Sequence, residues 1–187
     1  MNSIEYRLID SLKQINFIFK NEEINTECIN DYDEFSVLGE KLGPFEKGKK
    51  YKLKFFIASI LIKYNILKVA LNEKCDNIDL QRYAGSERDS DKLIKREQNS
   101  FLNKIKEFRI FMEKEVKEGN KPQIFLDNYN SYFTNVLDSR LLKVLRMTKS
   151  LLNIDDEKRL TDSEILLYNH IRDLLNNWRN FFLDINT

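Results

Sequence analysis

Apolar residues recur every three or four positions over the C-terminal half of the chain, which is the spacing of amphipathic α-helices. One such stripe spans residues 101–112, and the glycine and proline within residues 119–122 predict where that helix ends. A second stripe predicts a helix from residue 124 to about residue 152. A third stripe follows a polar linker at residues 153–159. Three long helices joined by short connections favour a helical bundle.

The start of the last helix has the clearest local signal in the sequence, Leu160-Thr161-Asp162-Ser163-Glu164. Thr161 is predicted to be the N-cap, and Glu164, three residues later, completes a capping box. A cap of this kind stabilises a helix by about 1 kcal/mol. The last helix is therefore expected to begin directly after Thr161.

The first part of the chain has shorter apolar periods, which are typical of strands. Residues 15–20 and 24–29 are predicted to form a hairpin around a turn at residues 21–23. Residues 56–64 are apolar on nearly every side, which favours a buried helix of about two turns that ends at Asn65. Further strands are predicted at residues 34–38, 51–55 and 66–71.

The boundary between these two kinds of sequence is predicted at Gly85. This glycine is expected to break the chain, and Ser86 to cap a new helix. At the N-terminus, apolar positions repeat every four residues over residues 4–12 and predict a short amphipathic helix. The chain is therefore expected to have an α+β fold, in which a small N-terminal β-rich α+β domain (residues 1–84) is followed by a mainly α-helical bundle domain (residues 85–187).

Composition limits the possible environments and partners. The 31 basic and 30 acidic residues leave a net charge of +1, so bulk attraction to nucleic acid or to anionic lipid is not indicated. Cys28 and Cys75 have neither a CxxC spacing nor a secretory signal with them, and free thiols in a reducing compartment are expected. Because no apolar run approaches about 18 residues, no membrane span is expected. These features predict an intracellular protein.

Residues with catalytic chemistry are scarce. The single histidine, His170, lies within the last predicted helix, and a triad would also need a nucleophile and an orienting acid beside it. One histidine and two distant cysteines do not form a zinc-binding set. The glycine-rich residues 43–48 lack the Lys-Ser/Thr ending of a phosphate-binding loop and are predicted to form a structural turn. The sequence predicts a protein that is not an enzyme, without catalytic, metal-binding or cofactor-binding residues.

Basic residues recur every three positions in the second long helix, at Arg140, Lys143, Arg146 and Lys149. This basic ridge could contact the phosphate backbone of a nucleic acid. It could also be a solvated or salt-bridged face of a core helix, and the near-neutral net charge favours this second interpretation. Any contact with DNA through the ridge is expected to be weak.

Aromatic residues are abundant in the long helices, and three helices cannot easily bury all of them among themselves. The surplus predicts a surface for a protein partner, because exposed apolar patches tend to be interfaces. The expected interface residues are Phe125, Tyr129, Tyr132, Phe133, Trp178, Phe181 and Phe182.

Two groups of motifs give the chain a family resemblance. In the first part of the chain, Gly43-Pro44-Phe45 is followed by Gly48 and then by Phe55-Phe56-Ile57-Ala58. This order is similar to that in the GINS family of DNA-replication proteins, in the subunits whose small β-rich domain precedes the helical domain. The chain differs from the family pattern at Lys54, where the family often has proline, and at Phe56, where it often has tryptophan.

The helical part contributes the second group. Asp138-Ser139-Arg140 is similar to an Asp-x-Arg pattern in the helical domain of GINS subunits, and Leu160-Thr161-Asp162-Ser163-Glu164 to the Leu-Thr-x-x-Glu with which their last helix often starts. The resemblance covers about residues 35–184.

The resemblance implies a non-catalytic scaffold subunit of a tetramer, which in archaea commonly contains two copies of each of two related subunits. Its implied partners are a paralogous GINS subunit, the MCM helicase and a Cdc45 or RecJ-like protein, and the complex bridges the last two at the replication fork. The implied location is the cytoplasm or nucleoid in an archaeon and the nucleus in a eukaryote. The alternative hypothesis is a helical nucleic-acid-binding or regulatory module that uses the basic ridge.

Overall fold

The computed structural model describes residues 3–37, 39–73 and 75–183. Helices account for 61% of the structure, and a small antiparallel sheet near the N-terminus precedes a helical bundle. The predicted α+β fold class is therefore confirmed. The helices are α1 (Ser3–Lys20), α2 (Phe55–Lys63), α3 (Asn77–Asp89), α4 (Phe101–Lys117), α5 (Ile124–Met147), α6 (Ile154–Glu157) and α7 (Asp162–Leu183). The strands are β1 (Glu23–Cys28), β2 (Phe35–Val37), β3 (Glu40–Leu42), β4 (Lys50–Lys54) and β5 (Leu67–Val69).

The sheet is built around β1, which pairs antiparallel with β4 on one side and β5 on the other. The strands β2 and β3 form a separate hairpin. Helix α2 follows β4 directly and packs its apolar side against the sheet. Helix α2 ends at Lys63, close to the predicted end at Asn65. Asn65 adopts the left-handed conformation, with φ of 58°, and turns the chain from α2 back into β5.

The sheet and the helical bundle are joined by aromatic packing. Phe55 of α2 stacks on Phe108 of α4, with ring centroids 5.7 Å apart. Phe108 belongs to the same buried cluster as Ile24 of β1 and Leu67 of β5. A second cluster connects α3, α4 and α5 around Leu80. Apolar burial of this kind is the main source of stability, at roughly 25 cal/mol per Å² of apolar surface.

The predicted strand at residues 15–20 is wrong, and so is the hairpin that depended on it. These residues lie in α1, which extends to Lys20. Asn16 decides the matter, because its side chain is buried against α4, where it donates to Glu107 at 2.7 Å and accepts from Asn103 at 3.0 Å. Six residues are too few to separate a period of two from a period of 3.6, and the packing of α1 against α4 favours the helix.

The break predicted at Gly85 is also wrong. Gly85 lies within α3, and Ser86 donates to the carbonyl of Tyr83 at 2.9 Å instead of capping a helix. Helix α3 begins instead at a capping box formed by Asp76 and Asp79. The domain boundary proposed between residues 84 and 85 therefore falls inside a helix.

The other predicted elements match the structure more closely. The four strands predicted after residue 20 correspond to β1, β2, β4 and β5, although Leu38 lies outside the described residues, and β3 was missed. Helix α4 ends before Gly119, which has φ of 74° and supplies the predicted stop. Helix α6 is a short turn within the predicted linker. Glu164 accepts from the backbone N–H of Thr161 at 2.8 Å, so the predicted start of α7 is confirmed.

Candidate interaction surface

Arg140 lies at the centre of a buried charge network that fixes α7 to the bundle. Its side chain is only 1% exposed. Its Nε and Nη2 donate to the two carboxylate oxygens of Glu164 at 2.6 and 2.7 Å, a bidentate pair. Its Nη1 donates to Glu87 of α3 at 2.5 Å. Arg140 also donates to the carbonyls of Ile94 and Arg159, at 3.0 and 2.9 Å. One side chain of α5 thus connects α3, α7 and the two segments that precede α4 and α7.

Glu87 is the fully buried acid of the network. Besides Arg140, it accepts from Arg96 at 2.7 Å and from Lys143 at 2.9 Å. Burial alone would raise the pKa of the Glu87 carboxyl, but Arg140, Lys143 and Arg96 outweigh burial and hold that pKa below its ordinary value. Glu87 is therefore charged at neutral pH. Its role in this arrangement is structural, since its carboxylate is fully paired.

The four residues of the basic ridge do not form one exposed surface. Arg140 and Lys143 are buried in the network, whereas Arg146 and Lys149 are exposed. From Arg140 to Arg146, steps of three residues rotate each successive side chain by about 60° around a helix with 3.6 residues per turn. Lys149 lies beyond the end of α5 at Met147, which is earlier than the predicted end near residue 152. The ridge therefore turns from the interior to the solvent between its two ends. Two of the four basic side chains are therefore buried, and only Arg146 and Lys149 are exposed to a possible phosphate ligand.

The first half of α7, residues 162–172, is held in the bundle. Glu164 binds Arg140, and Tyr168 is 1% exposed in a cluster with Leu93, Val144 and Leu160. The Tyr168 hydroxyl donates to the carbonyl of Ser150 at 2.8 Å. Packing and hydrogen bonding together fix this part of the helix.

The second half of α7 has the opposite environment. Every residue from Asp173 to Leu183 is exposed, although α1 lies beside the helix. Residues at the i, i+1, i+4, i+7 and i+8 positions place an apolar stripe on one helical face. Its aromatic rings touch one another, with centroids 5.0 Å apart for Trp178 and Phe182 and 5.1 Å apart for Phe181 and Phe182. We call this face the α7 aromatic surface; it consists of Leu174, Leu175, Trp178, Phe181 and Phe182.

The interface residues predicted on α5 have mixed environments. Phe125 is exposed, but Tyr129 is buried and donates to the carbonyl of Ile105 at 2.7 Å. Tyr132 and Phe133 are partly buried against the cluster around Leu80. Tyr129 therefore stabilises the bundle and is not available to a partner. The Tyr129 hydroxyl finds a hydrogen-bond acceptor within the chain because α4 packs beside it. The sequence of α5 alone does not show this contact.

Sequence reasoning missed a second exposed stripe on α5. Leu137, Leu141 and Leu145 are all exposed and lie four residues apart, which places them along one side of the helix. We call them the α5 leucine stripe. Their spacing was visible in the sequence, but it is equally typical of a face that the bundle itself would cover.

The described residues offer little catalytic chemistry. No group of three or more histidine, cysteine, aspartate or glutamate side chains among them could hold a metal ion. Nδ1 of His170 lies 2.9 Å from the carbonyl of Leu166, one turn earlier in α7. Cys28 and Cys75 are free, and burial raises the pKa of the Cys75 thiol to about 12, so this thiol is a poor nucleophile at neutral pH.

The glycine-rich turn at residues 43–48 is structural. Gly43 has φ of +100°, and an added Cβ would lie 3.0 Å from the Cα of Glu34. After this turn the chain runs beside Tyr32, and the N–H of Phe45 donates to the carbonyl of Tyr32 at 2.8 Å.

None of the helices in the described part of the chain combines the length and apolar character needed to cross a membrane.

Comparison of the chain with models of known protein families gave no match. Comparison with curated proteins gave none either.

Proposed function

We propose that this chain is a non-catalytic scaffold subunit of a GINS-type replication complex, assembled through the α7 aromatic surface. The observation that carries the proposal is that every residue from 173 to 183 is exposed, including Trp178 at 63%, Phe181 at 70% and Phe182 at 66%. A large apolar side chain left in water forgoes roughly 1.5–3 kcal/mol of burial energy. Contiguous apolar patches of this kind mark interaction sites in soluble proteins.

The two helical motifs of the GINS resemblance meet in space, which supports this class of complex. Arg140 comes from the Asp-x-Arg motif, and Glu164 comes from the Leu-Thr-x-x-Glu motif. The bidentate pair between them links residues 24 positions apart in sequence. The two motifs depend on each other physically, because each supplies one partner of the same buried ion pair.

In the proposed complex, the α7 aromatic surface packs against a paralogous subunit, and the α5 leucine stripe extends the contact. The assembled complex then bridges the MCM helicase and a Cdc45 or RecJ-like protein. It would act where DNA is replicated, in the cytoplasm or nucleoid of an archaeon or in the nucleus of a eukaryote. Direct contact with DNA through Arg146 and Lys149 is the weaker proposal, because Arg140 and Lys143 are buried.

The oligomeric state tests this proposal. The protein is purified alone and after co-expression with a candidate paralogue, and its mass is measured by light scattering. We expect a stable oligomer of the wild-type chain and its dissociation by the double substitution Phe181→Asp and Phe182→Asp. An obligate interface of this type buries on the order of 2,000 Å² or more.

A matched control separates assembly from general loss of apolar surface. Ile154 is 71% exposed on α6, and Ile154→Asp should leave the mass unchanged. A wild-type chain that remains monomeric alone and with every candidate paralogue would contradict the proposal.

A further inference from the structure

The region around the sheet carries an apolar groove that is separate from the α7 aromatic surface. One wall follows the outer face of α2, where Phe56 and Ile60 lie four residues apart, and Tyr64, the C-cap residue directly after the helix, extends the wall. Ile60 and Tyr64 are 54% and 68% exposed. The opposite side of α2 is buried against the sheet. Helices that are apolar on both faces are normally buried on both faces. The outer face of α2 is apolar but exposed, so its composition suits contact with another chain segment.

The second wall of the groove is formed by the β2–β3 hairpin and the segment before it. Tyr32, Phe35 and Val37 line this wall, and the groove encloses about 500 Å³. The rings of Tyr32 and Phe35 are 5.9 Å apart in an edge-to-face arrangement, and Phe35 lies 6.1 Å from the buried ring of Phe45. The wall is therefore supported from behind by the core.

One end of the groove is acidic. A second depression shares Tyr32 and Phe35 with the groove and is lined by the carboxylates of Asp31, Asp33, Glu34 and Glu46, with no lysine or arginine among its described lining residues. The backbones of Tyr32 and Phe45 exchange hydrogen bonds of 2.9 and 2.8 Å, which fixes the depression next to the groove.

The acidic side chains have only weak partners in the surrounding surface. Glu34 pairs with Lys41 at 3.3 Å and Glu46 with Lys49 at 2.7 Å, and all four side chains are more than half exposed. Exposed pairs of this kind contribute little to stability. Asp31 accepts from the backbone N–H of Lys47 at 2.6 Å, which orients its carboxylate and leaves the negative charge in place. A cationic ligand could therefore displace the lysines at little cost.

We propose that this groove binds a linear segment of a partner protein in which apolar anchor residues are followed by lysine or arginine. The anchors occupy the space between α2 and the hairpin, and the basic residues meet Asp31, Asp33, Glu34 and Glu46. Charge complementarity selects this occupant over an acidic or a purely apolar segment, because like charges facing each other disfavour the wrong partner. The groove lies between α2 and the β2–β3 hairpin, and the inference does not depend on assembly through α7.

The test is an NMR titration of the ¹⁵N-labelled full chain with synthetic peptides. The probe is a blocked ten-residue peptide in which a Leu-Phe pair is followed by four lysines, and a matched peptide has four glutamates in place of the lysines. We expect the lysine peptide to shift the amide signals of Tyr32, Ile60 and Tyr64 and to bind about tenfold or more tightly than the glutamate peptide. Equal affinities for the two peptides, or shifts confined to other regions, would overturn the proposal.

Variants assign the binding to the groove. Ile60→Ser and Tyr64→Ser change exposed side chains, so both should fold, and each should weaken binding of the lysine peptide about tenfold or more. Leu71→Asp changes a side chain that is 78% exposed and lines neither depression, and it should bind like the wild type. Unchanged affinity in both groove variants contradicts the proposal.

Two further outcomes identify other occupants. If the groove signals change with protein concentration alone, a second copy of this chain fills the groove and the peptide proposal is wrong. The variant carrying Phe181→Asp and Phe182→Asp should bind the lysine peptide normally. This result keeps the inference distinguishable from the proposed function, since each can fail without the other.

Discussion

The two halves of α7 have similar amphipathic sequences and opposite surroundings. Residues 162–172 are anchored by the Glu164–Arg140 pair and by the buried ring of Tyr168, whereas residues 173–183 are exposed throughout. A hydrophobic stripe indicates that a helical face will be covered, but it does not identify which chain supplies the cover. The difference between the halves comes from partners distant in sequence. It leaves residues with structural contacts in one half and an exposed apolar face in the other.

Removing Arg140 should give the largest effect on the anchored half. Arg140→Met leaves Glu164 buried without its cation, and the loss of one partner from a buried ion pair typically costs about 3–5 kcal/mol. We expect this loss in the free energy of unfolding measured with urea. Arg146→Met provides the same substitution at an exposed position of α5 and should change stability by less than about 0.5 kcal/mol. Equal losses in the two variants would contradict a structural role for the network.

A matched pair of aromatic truncations compares the two halves directly. Tyr168→Ala removes a buried ring and should destabilise the protein by about 3–5 kcal/mol. Phe181→Ala removes a ring that is 70% exposed and should cost the monomer less than about 0.5 kcal/mol. Urea unfolding is measured at a protein concentration where light scattering shows a monomer, because assembly would add to apparent stability. If Phe181→Ala destabilised the monomer as much as Tyr168→Ala, the second half of α7 would be covered within its own chain.

Local sequence signals predicted the different surroundings of the two halves of α7 only in part. The start of α7 was predictable because Thr161 and Glu164 are three residues apart, and Glu164 accepts from both the backbone N–H and the hydroxyl of Thr161. The second role of Glu164, as the partner of Arg140, depends on how α5 and α7 pack, and no local pattern encodes it. For the same reason Arg140 and Lys143 looked like part of a surface ridge. Trp178, Phe181 and Phe182 were recognised as surplus apolar residues because their composition alone exceeds what a small bundle can bury.

The errors elsewhere in the fold have the same origin. Gly85 costs a helix about 1 kcal/mol relative to alanine, yet α3 continues through it because the helix packs against α5 and is capped at Asp76. The Asp76–Asp79 capping box was visible in the sequence and would have placed the start of α3. The helical structure of residues 15–20 depends on contacts with Asn103 and Glu107 on α4, which lie about 90 positions away in the sequence.

Lowering the pH should loosen the network that anchors the first half of α7, by a smaller amount than deleting Arg140. The pKa of Glu87 is lowered in the folded protein from its ordinary value of 4.5. A lowered folded-state pKa contributes stability that is fully present above 4.5 and is lost as the pH falls through the folded-state pKa. We expect the urea midpoint to hold between pH 7 and about pH 5 and to fall in more acidic solution. The Glu87→Gln variant should be less stable at pH 7 and should show a shallower decline below pH 4.5. A decline as steep as that of the wild type would show that other carboxylates are responsible.

The smallest effect separates hydrogen bonding from packing at Tyr168. Tyr168→Phe keeps the buried ring and removes the hydroxyl that donates to the carbonyl of Ser150 at 2.8 Å, which should cost about 1 kcal/mol. Tyr64→Phe makes the same change at an exposed ring and should be nearly neutral. The difference in unfolding free energy between Tyr168→Phe and Tyr168→Ala gives the contribution of the ring, and the loss in Tyr168→Phe gives the contribution of the hydroxyl. If Tyr168→Phe were as damaging as Tyr168→Ala, the first half of α7 would be held mainly by its polar contacts. The contrast with the exposed second half would then depend on hydrogen bonds and ion pairs more than on apolar burial.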